Sequence, residues 1–135
     1  MRIAIDARKL RDYGIGTYIR NLIRHLARID RTNEYVLIVQ PADIEIASAL
    51  GDNFRAVPDW SGAYSIREQL SIPLDLRRER VDLFHAPHYV LPPLIPCKSV
   101  VTIHDCIHLR FPQYLPNRLA YVYARSSLWV ATHRA

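Results

Sequence analysis

The first thirty residues, MRIAIDARKLRDYGIGTYIRNLIRHLARID, restrict the fold of this chain more than any other stretch. Residues 2–6 have the length and β-branched content of a buried strand, and residues 17–29 repeat apolar side chains with the helical period. Between them, Gly14 and Gly16 permit backbone conformations or close approaches that a Cβ would obstruct. The stretch therefore predicts a strand-turn-helix unit, and the unpaired N–H groups at the start of its helix suit an anion. The apolar positions of the helical repeat are Ile19, Leu22, Ile23, Leu26 and Ile29.

The remainder of the chain alternates strand and helix patterns. Four further strands are predicted, at residues 34–40, 54–58, 81–85 and 99–104. Helices are predicted at residues 43–50, at residues 65–78 and from about residue 116 onward. Pro73 is expected to kink or split the second of these helices. One side of the last helix is expected to be apolar through Leu119, Val122, Tyr123, Trp129 and Val130.

Irregular segments separate some of these elements. They are expected at residues 59–63, at the proline-rich residues 86–96, and at residues 105–115. Because the strands are almost continuously apolar and are joined by helices, they predict a parallel sheet with both faces covered by right-handed crossovers. The predicted fold class is α/β, a Rossmann-like parallel sheet flanked by helices.

The length of 135 residues, half of them apolar, supplies one core and too little material for two. The last residues continue a helical pattern with no glycine cap and no following strand, so we expect residues 1–135 to be a partial domain. No stretch has the apolar length of a bilayer span, and Asp6, Arg8 and Lys9 interrupt any signal-peptide core. We therefore expect a cytoplasmic protein.

Two compositional features bear on the partners of the chain. Cys97 and Cys106 lack a Cys-x-x-Cys spacing, which favours reduced structural thiols over a disulfide or a redox site. The formal charge of +5 permits an anionic partner, which could be a nucleotide phosphate, a nucleic acid or an anionic membrane. Charge alone does not choose among these three.

Polar residues follow the predicted strands at the edge where ligands bind in such sheets. Because the carboxyl ends of parallel strands share one edge, these residues are the candidate site. They are Asp6 and the Gly14 to Gly16 turn after the first strand, His85 and His88 after the fourth, and His104 with Asp105 after the fifth.

The glycine turn has two interpretations from its spacing. Gly14 and Gly16 could let a phosphate or a sugar approach the helix N-terminus, or they could form an ordinary tight turn. The turn does not complete a dinucleotide fingerprint, since Ile19 stands where a third small residue is needed and Gln40 replaces the ribose-binding acid. A P-loop is excluded because no Gly-Lys-Ser or Gly-Lys-Thr follows.

The histidines leave further alternatives open. His104 could hydrogen-bond a ligand hydroxyl or stabilise charge at a reacting centre, or it could make a structural hydrogen bond only. A metal site is a weaker hypothesis, because the spacings match no closed zinc module. Its ligands would come from His85, His88, His104 and His108, with Asp105 and Cys106.

A basic stripe runs along the first helix through Arg20, Arg24 and Arg28. A solvated face is its usual meaning, and contact with an anionic membrane or an acidic partner is the alternative. Nucleic acid is not expected, because no aromatic-interleaved basic patch accompanies the stripe.

Four segments together carry a family resemblance: RIAIDAR at the start, GIGTYIRNLIRHL, DLFHAPHYVLP and VVTIHDCIHLRFPQYLP. In this order they resemble the N-terminal domain of a glycosyltransferase family 4 enzyme, a retaining GT-B glycosyltransferase. The resemblance covers nearly the whole chain. It implies two Rossmann-like domains that face each other across a cleft, of which this chain would be the partial acceptor-side domain, with the C-terminal donor-binding domain absent.

The resemblance also implies roles for particular residues. Gly14 and Gly16 would line the cleft on the side of the donor diphosphate, with His104 beside the donor sugar and Asp105 shaping its pocket. The acceptor-side candidates are Tyr13, His85, His88 and Tyr89. The donor would be a nucleotide-diphosphate sugar, and the resemblance implies neither a cofactor nor an obligatory metal.

The expected function is therefore sugar transfer to a glycan, lipid or small-molecule acceptor in the complete enzyme, with the present chain inactive alone. The rival hypothesis is a non-catalytic module that docks a partner chain. Self-association through exposed surfaces and peripheral contact with the inner face of a membrane are further expected interactions.

Overall fold

A computed structural model describes residues 1–61 and 68–135, without the side chains of Ser48 and Glu68. The first half contains β1 (Arg2–Asp6), α1 (Ile15–Ile29), β2 (Glu34–Val39), a 3₁₀ turn (Pro41–Asp43), α2 (Glu45–Ser48) and β3 (Phe54–Pro58). The second half contains α3 (Glu68–Arg78), β4 (Leu83–Ala86), β5 (Lys98–Val101), α4 (Ile107–Arg110), a 3₁₀ turn (Pro112–Tyr114) and α5 (Arg118–Arg134).

The five described strands form one parallel sheet in the order β3-β2-β1-β4-β5. This confirms the predicted α/β fold class. Alternate residues of β1 and β2 face opposite sides, and both sides are buried. Ile5 and Leu37 pack with Ile19 and Ile23 of α1 on one side. On the other side, the buried set is Ala4, Val36, Ile38, Phe84 and, from α3, Ile72 and Leu76.

Helix α1 confirms the predicted amphipathic helix and begins two residues earlier than expected. Ile19 and Ile23 are buried, but Ile29 at the end of the predicted apolar stripe is 79% exposed. Ile29 is exposed because it is the last residue of the helix and lies beyond the turns that face the sheet. Arg20 bonds locally, to the Leu10 carbonyl and to Thr17 Oγ1, whereas Arg24 and Arg28 are exposed.

Two predictions about helices in the middle of the chain are refined. The expected helix at residues 43–50 is shorter, because Asp43 belongs to a 3₁₀ turn and the helical residues are Glu45–Ser48. In the described part of α3 the helix runs through Pro73 without being split, since Ile72 and Leu76 on either side are fully buried. Residues 62–67, including the predicted start of this helix at residue 65, lie outside the described residues.

The predicted apolar side of the last helix is wrong at Leu119, Val122 and Trp129, whereas Val130 packs against the buried core as predicted and Tyr123 is half-buried. Leu119, Val122 and Trp129 are 79%, 58% and 56% exposed. Helix α5 instead buries a stripe of smaller side chains at Ala124, Leu128 and Ala131. Residues 105–115 were predicted to be irregular, but they contain α4 and a 3₁₀ turn. No helix within the described residues has both the length and the apolarity needed to cross a bilayer.

Candidate functional site

The order of the strands places a crevice between β1 and β4. From β1 the chain moves to β2 and β3 on one side and later returns to add β4 and β5 on the other. In open parallel sheets, the carboxyl ends of two strands at such a reversal are where ligands bind. Asp6 ends β1, and Ala86 ends β4. The residues after these two positions therefore form the floor of the candidate site.

A buried ionic cluster occupies this floor. Arg8 donates from Nε to Asp6 Oδ1 at 2.9 Å and from Nη2 to Asp6 Oδ2 at 2.7 Å. The same guanidinium reaches Ser61 Oγ at 3.3 Å and lies 3.8 Å from Asp59 Oδ2. The Arg8 side chain is only 7% exposed and that of Asp6 only 2%. The cluster thus ties together the chain after β1 and the chain after β3.

His88 joins the cluster from the loop after β4. Its Nδ1 accepts a hydrogen bond from the Val90 N–H at 3.2 Å, so the ring proton sits on Nε2, which donates to Asp6 Oδ2 at 3.0 Å. His88 is 4% exposed. Sequence reasoning placed it on the acceptor side, but its ring is enclosed within the protein and both of its nitrogens are bonded.

The ionisation of Asp6 follows from this surrounding. Burial alone would raise its pKa, but the hydrogen bonds from Arg8 and His88 and the charge of Arg8 outweigh burial and hold the pKa well below its usual range. Asp6 is therefore a fixed negative charge that organises the floor of the crevice. A carboxylate engaged in this way is a structural anchor, since both oxygens already have partners.

The two glycines of the predicted turn have different structural reasons. A Cβ on Gly16 would lie 2.5 Å from the Leu10 carbonyl oxygen, so only glycine allows the helix to approach the chain at residues 9–10. Gly14 has a φ of +65° with open space around it, and it begins α1 without a side-chain cap. Both glycines are accounted for by the turn itself.

His104 lies in the irregular segment after β5. The strand was predicted to reach residue 104 but ends at Val101, so His104 does not directly follow it. Its Nε2 is 3.0 Å from the Pro87 carbonyl oxygen, which can only accept, and Nε2 therefore carries the proton. The edge of the Tyr18 ring meets the His104 ring at 5.0 Å between centroids. The other nitrogen, Nδ1, makes no hydrogen bond to the described residues.

A short chain of hydrogen bonds runs beside His104. His85 Nε2 is 2.8 Å from Thr102 Oγ1, and Thr102 Oγ1 is 3.3 Å from the hydroxyl of Tyr18. Burial, with a smaller contribution from His88, lowers the pKa of His85 and favours its neutral ring. Three elements thus bring hydroxyl and imidazole groups together: α1, β4 and the segment after β5.

The remaining predicted residues are more peripheral. Asp105 Oδ1 accepts from the Ile107 N–H at 3.0 Å and so orders the start of α4. Tyr89 stands edge-on to His108, with ring centroids 6.4 Å apart. Tyr13 is fully exposed before α1. Cys97 and Cys106 are both free thiols.

The proposed metal ligands do not converge. In the described part of the chain, no group of three or more His, Cys, Asp or Glu side chains is arranged to hold a metal ion. His85 bonds Thr102, His88 bonds Asp6, and His104 bonds a carbonyl oxygen. The Nε2 atom of each of these histidines is therefore engaged in a hydrogen bond within the protein.

Two surface hollows lie away from this crevice. One, of about 420 Å³, is lined by Arg2, Glu34 and Phe54 at the amino ends of the strands. The other, of about 450 Å³, runs along α5 beside Val122 and Trp129. The candidate site is the carboxyl-end crevice, because ligands of open parallel sheets bind beyond the carboxyl ends of the strands and His85, His88 and His104 lie there.

Comparison with protein families gives one match. Residues 13–135 match the family model for Glycosyltransferase Family 4. The chain belongs to glycosyltransferase family 4. The match covers the glycine turn and every histidine of the crevice, and it confirms the family resemblance of the sequence. Family membership gives the chain a glycosyltransferase-type role. No curated protein and no solved structure matches it.

Sequence reasoning missed several residues of this family 4 domain. Tyr18 and Thr102 were not singled out, because one lies on a helix face and the other inside a predicted strand. Arg8 and Asp59 were not recognised as a buried ion pair. The available signal was positional: Tyr18 lies near the helix start, and Arg8 and Asp59 closely follow predicted strands at the edge where ligands bind. Thr102, inside a predicted strand, carried no such signal.

Proposed function

We propose that this chain is the acceptor-side domain of a retaining glycosyltransferase that moves a sugar from a nucleotide-diphosphate sugar to a glycan, lipid or small-molecule acceptor. The observation that carries the proposal is the arrangement at His104. Its Nε2 is bonded to Pro87, which leaves Nδ1 as an acceptor, and its ring lies against Tyr18, whose hydroxyl is 3.3 Å from Thr102 Oγ1. Imidazole and hydroxyl groups that accept and donate in one place suit a polyhydroxylated substrate.

In this proposal His104 lies beside the donor sugar and Asp105 shapes that pocket by ordering α4. Gly14 and Gly16 line the side of the donor diphosphate at the start of α1, where an anion would meet the positive end of the helix although the N–H groups of Ile15 and Gly16 already donate to backbone carbonyl oxygens. Tyr13 and Tyr89 offer surface on the acceptor side, and His85 acts from beneath through Thr102. No step of the proposal requires a metal ion.

The same surface implies that a second domain completes the site. Tyr13, Gly14, His104 and Asp105 are exposed, so a sugar bound among them would remain in contact with water. Transfer requires that water be excluded from the reacting sugar, and a diphosphate needs more partners than one helix start. We therefore propose that residues 1–135 alone bind an acceptor weakly and do not transfer.

The test measures sugar transfer by a matched pair of histidine variants. A set of nucleotide-diphosphate sugars is screened for transfer by the complete enzyme, and the active donor is then assayed with His104→Ala and His25→Ala. His25 is an exposed histidine on α1, outside the site. Loss of one interaction made in the transition state lowers kcat/KM by about 10²-fold or more. We expect this loss for His104→Ala and no change for His25→Ala. Equal activity of the two variants would remove His104 from the site.

A second candidate is a non-catalytic module that docks a partner chain through α5. The exposed apolar residues Leu119, Val122 and Trp129 favour it. Helix α5 also carries Arg118, Arg125 and Arg134 with no acidic residue, so the matching partner surface would be apolar with an acidic rim. A partner that the wild type captures in a pull-down and that Trp129→Ser does not capture would favour this candidate over the enzyme, provided that no sugar tested is transferred.

A further inference from the structure

His88 is a buried titratable residue whose ring is too enclosed to contact a substrate directly. It lies on the loop after β4, it is 4% exposed, and both of its ring nitrogens are hydrogen-bonded. Its partners belong to two different parts of the fold: Asp6 at the end of the central strand β1, and Val90 within its own loop. The ring therefore links the loop at residues 87–90 to the centre of the sheet.

The anchor at the other end of this link is itself fixed. The Asp6 carboxylate accepts two hydrogen bonds from the Arg8 side chain, one from the Arg8 backbone N–H and one from His88. Arg8 is held in turn by Ser61 and lies near Asp59. A buried carboxylate bonded on both oxygens has little freedom to rotate, because any rotation would leave charged groups unpaired.

The loop held by His88 also bears on His104. Pro87, the residue directly before His88, provides the carbonyl oxygen that accepts from His104 Nε2 at 3.0 Å. We propose that His88 is a positioning residue for His104: it holds the loop so that the Pro87 carbonyl fixes the Nε2–H tautomer of His104. This deepens the proposed function, on which the substrate-facing role of His104 rests.

The tautomer determines which chemical group His104 recognises. With the proton on Nε2, a neutral ring presents Nδ1 only as an acceptor. Such an atom accepts from a hydroxyl and offers nothing to a phosphate oxygen, which is itself an acceptor. His104 in this form therefore selects a hydroxyl group of its ligand. A mixture of tautomers would lose that selectivity.

Two variants of His88 separate its two bonds. In His88→Asn the amide oxygen takes the place of Nδ1 and still accepts from Val90, but the side chain is too short to reach Asp6. In His88→Gln the amide N–H₂ still donates to Asp6, but nothing accepts from Val90. The readout is the tautomer of His104 in the ¹⁵N-labelled chain, from the two-bond and three-bond couplings of its ring nitrogens, without any substrate. Phe54→Leu, at the amino end of β3, is the control for a general loss of packing.

We expect wild-type His104 to be predominantly the Nε2–H tautomer. In both His88 variants, the ratio of the Nε2–H to the Nδ1–H form falls by about fivefold, the equilibrium equivalent of one neutral hydrogen bond. Phe54→Leu leaves the ratio unchanged. A folded His88 variant with an unaltered His104 ratio overturns the proposal.

The wild-type spectrum keeps the proposal testable should both variants unfold. His88 and His104 must then both be Nε2–H tautomers, and a proton on Nδ1 of either ring overturns the proposal. Because no sugar enters the measurement, its outcome is independent of the transfer assay. If no sugar is transferred but both histidines have the expected tautomers, only the proposed enzymatic function is refuted. If sugar is transferred but the tautomers differ from those expected, only the positioning role of His88 is refuted.

Discussion

Gly14 and Gly16 are two residues apart, and the structure gives them different reasons to be glycine. At Gly16 a Cβ would lie 2.5 Å from the Leu10 oxygen and 2.9 Å from the Lys9 oxygen, both of which belong to the backbone. We expect Gly16→Ala to lower the free energy of unfolding by about 3 kcal/mol or more, because a backbone must shift to admit the methyl group. Urea denaturation of the purified chain measures the loss.

Gly14→Ala is the matched control for that substitution. Its Cβ would enter open space, so the cost comes only from the backbone conformation, φ +65° and ψ −72°, a sparsely populated region that disfavours a side chain by about 1–3 kcal/mol. The loss at Gly16 should therefore be the larger of the two. Equal losses would mean that the helix and residues 9–10 are not in close contact in solution.

Carboxylates should make the fold sensitive to acid. Hydrogen bonds from Asn33, Tyr35 and the backbone hold the pKa of Asp30 well below its usual range, and the pKa of Tyr35 is raised, by burial and by Asp30, to about 12. A lowered carboxyl pKa stabilises the fold above the unfolded pKa of about 3.9 and ceases to do so as the pH falls toward the folded pKa.

We accordingly expect the free energy of unfolding to decrease as the pH is lowered below about 4, and to decrease less steeply in Asp30→Asn. Asp6 keeps part of the slope in that variant, because its own pKa is held low by Arg8 and His88. Denaturation curves at several pH values test this. An Asp30→Asn slope as steep as that of the wild type would show that Asp30 does not make these bonds.

At the scale of single residues, the sequence predicted His85, His88, His104 and Asp105 as neighbours of one sheet edge. It could not assign their partners. The bond between His88 and Asp6 joins residues 82 positions apart, and nothing in local spacing specifies such a pair. Burial decided the outcome: His88 became an internal anchor, while His104, with similar sequence surroundings, stayed exposed.

Among the elements, β5 shows how pairing overrides strand propensity. The β-branched run at residues 99–104 predicted a longer strand, but its ladder with β4 ends at the pair Ala86 and Val101. One more bond joins the Thr102 N–H to the Ala86 carbonyl oxygen at 2.9 Å, after which the chain leaves β4 for the loop at residues 87–90, and β5 has no described partner on its other side. A strand at the edge of a sheet can extend only as far as its single neighbour.

Helix α5 shows a different limit of sequence patterns. Its apolar residues form more than one stripe at helical spacing, and the larger side chains favoured the wrong one. The buried stripe at Ala124, Leu128 and Ala131 is mostly small, which permits a close approach of the helix to the body of the protein. Periodicity identified the helix, but the choice of face depends on the shape of the surface that it meets.

This choice of face is testable with two leucines of the same helix. Leu128 is 6% exposed and Leu119 is 79% exposed. We expect Leu128→Ala to lower the free energy of unfolding by about 2–5 kcal/mol, the usual cost of a buried leucine. Leu119→Ala should change it by no more than about 0.5 kcal/mol. Thermal and urea unfolding measure both, and a larger loss at Leu119 would restore the apolar face expected from the sequence.

For the molecule as a whole, the sequence predicted a parallel α/β sheet and an edge that carries the site. It did not predict the order of the strands, because apolar runs of similar length pair equally well in several orders. The order β3-β2-β1-β4-β5 is what creates the crevice between β1 and β4. The side chains at its floor then meet, although they come from three separate parts of the chain: Asp6, Arg8, Asp59, Ser61 and His88.

That order also predicts how stability is distributed across the molecule. β1, β2 and β4 each have a strand on both sides, whereas β3 and β5 each pair with one described neighbour. Ala4 and Leu37 of the inner strands are fully buried, while β5 alternates between exposed and half-buried residues. Backbone amides open to solvent more easily where fewer apolar contacts must be broken.

We therefore expect native-state hydrogen exchange to be slowest in β1 and β2 and fastest, among the strands, in β5. The exchange free energies of β1 should approach the global free energy of unfolding, because β1 lies in the middle of the sheet and is flanked by both buried layers. Exchange measured by NMR on the ¹⁵N-labelled chain resolves each strand. Protection in β5 equal to that in β1 would require a further strand or a second molecule to cover the β5 edge, and sedimentation at several concentrations would distinguish these two causes.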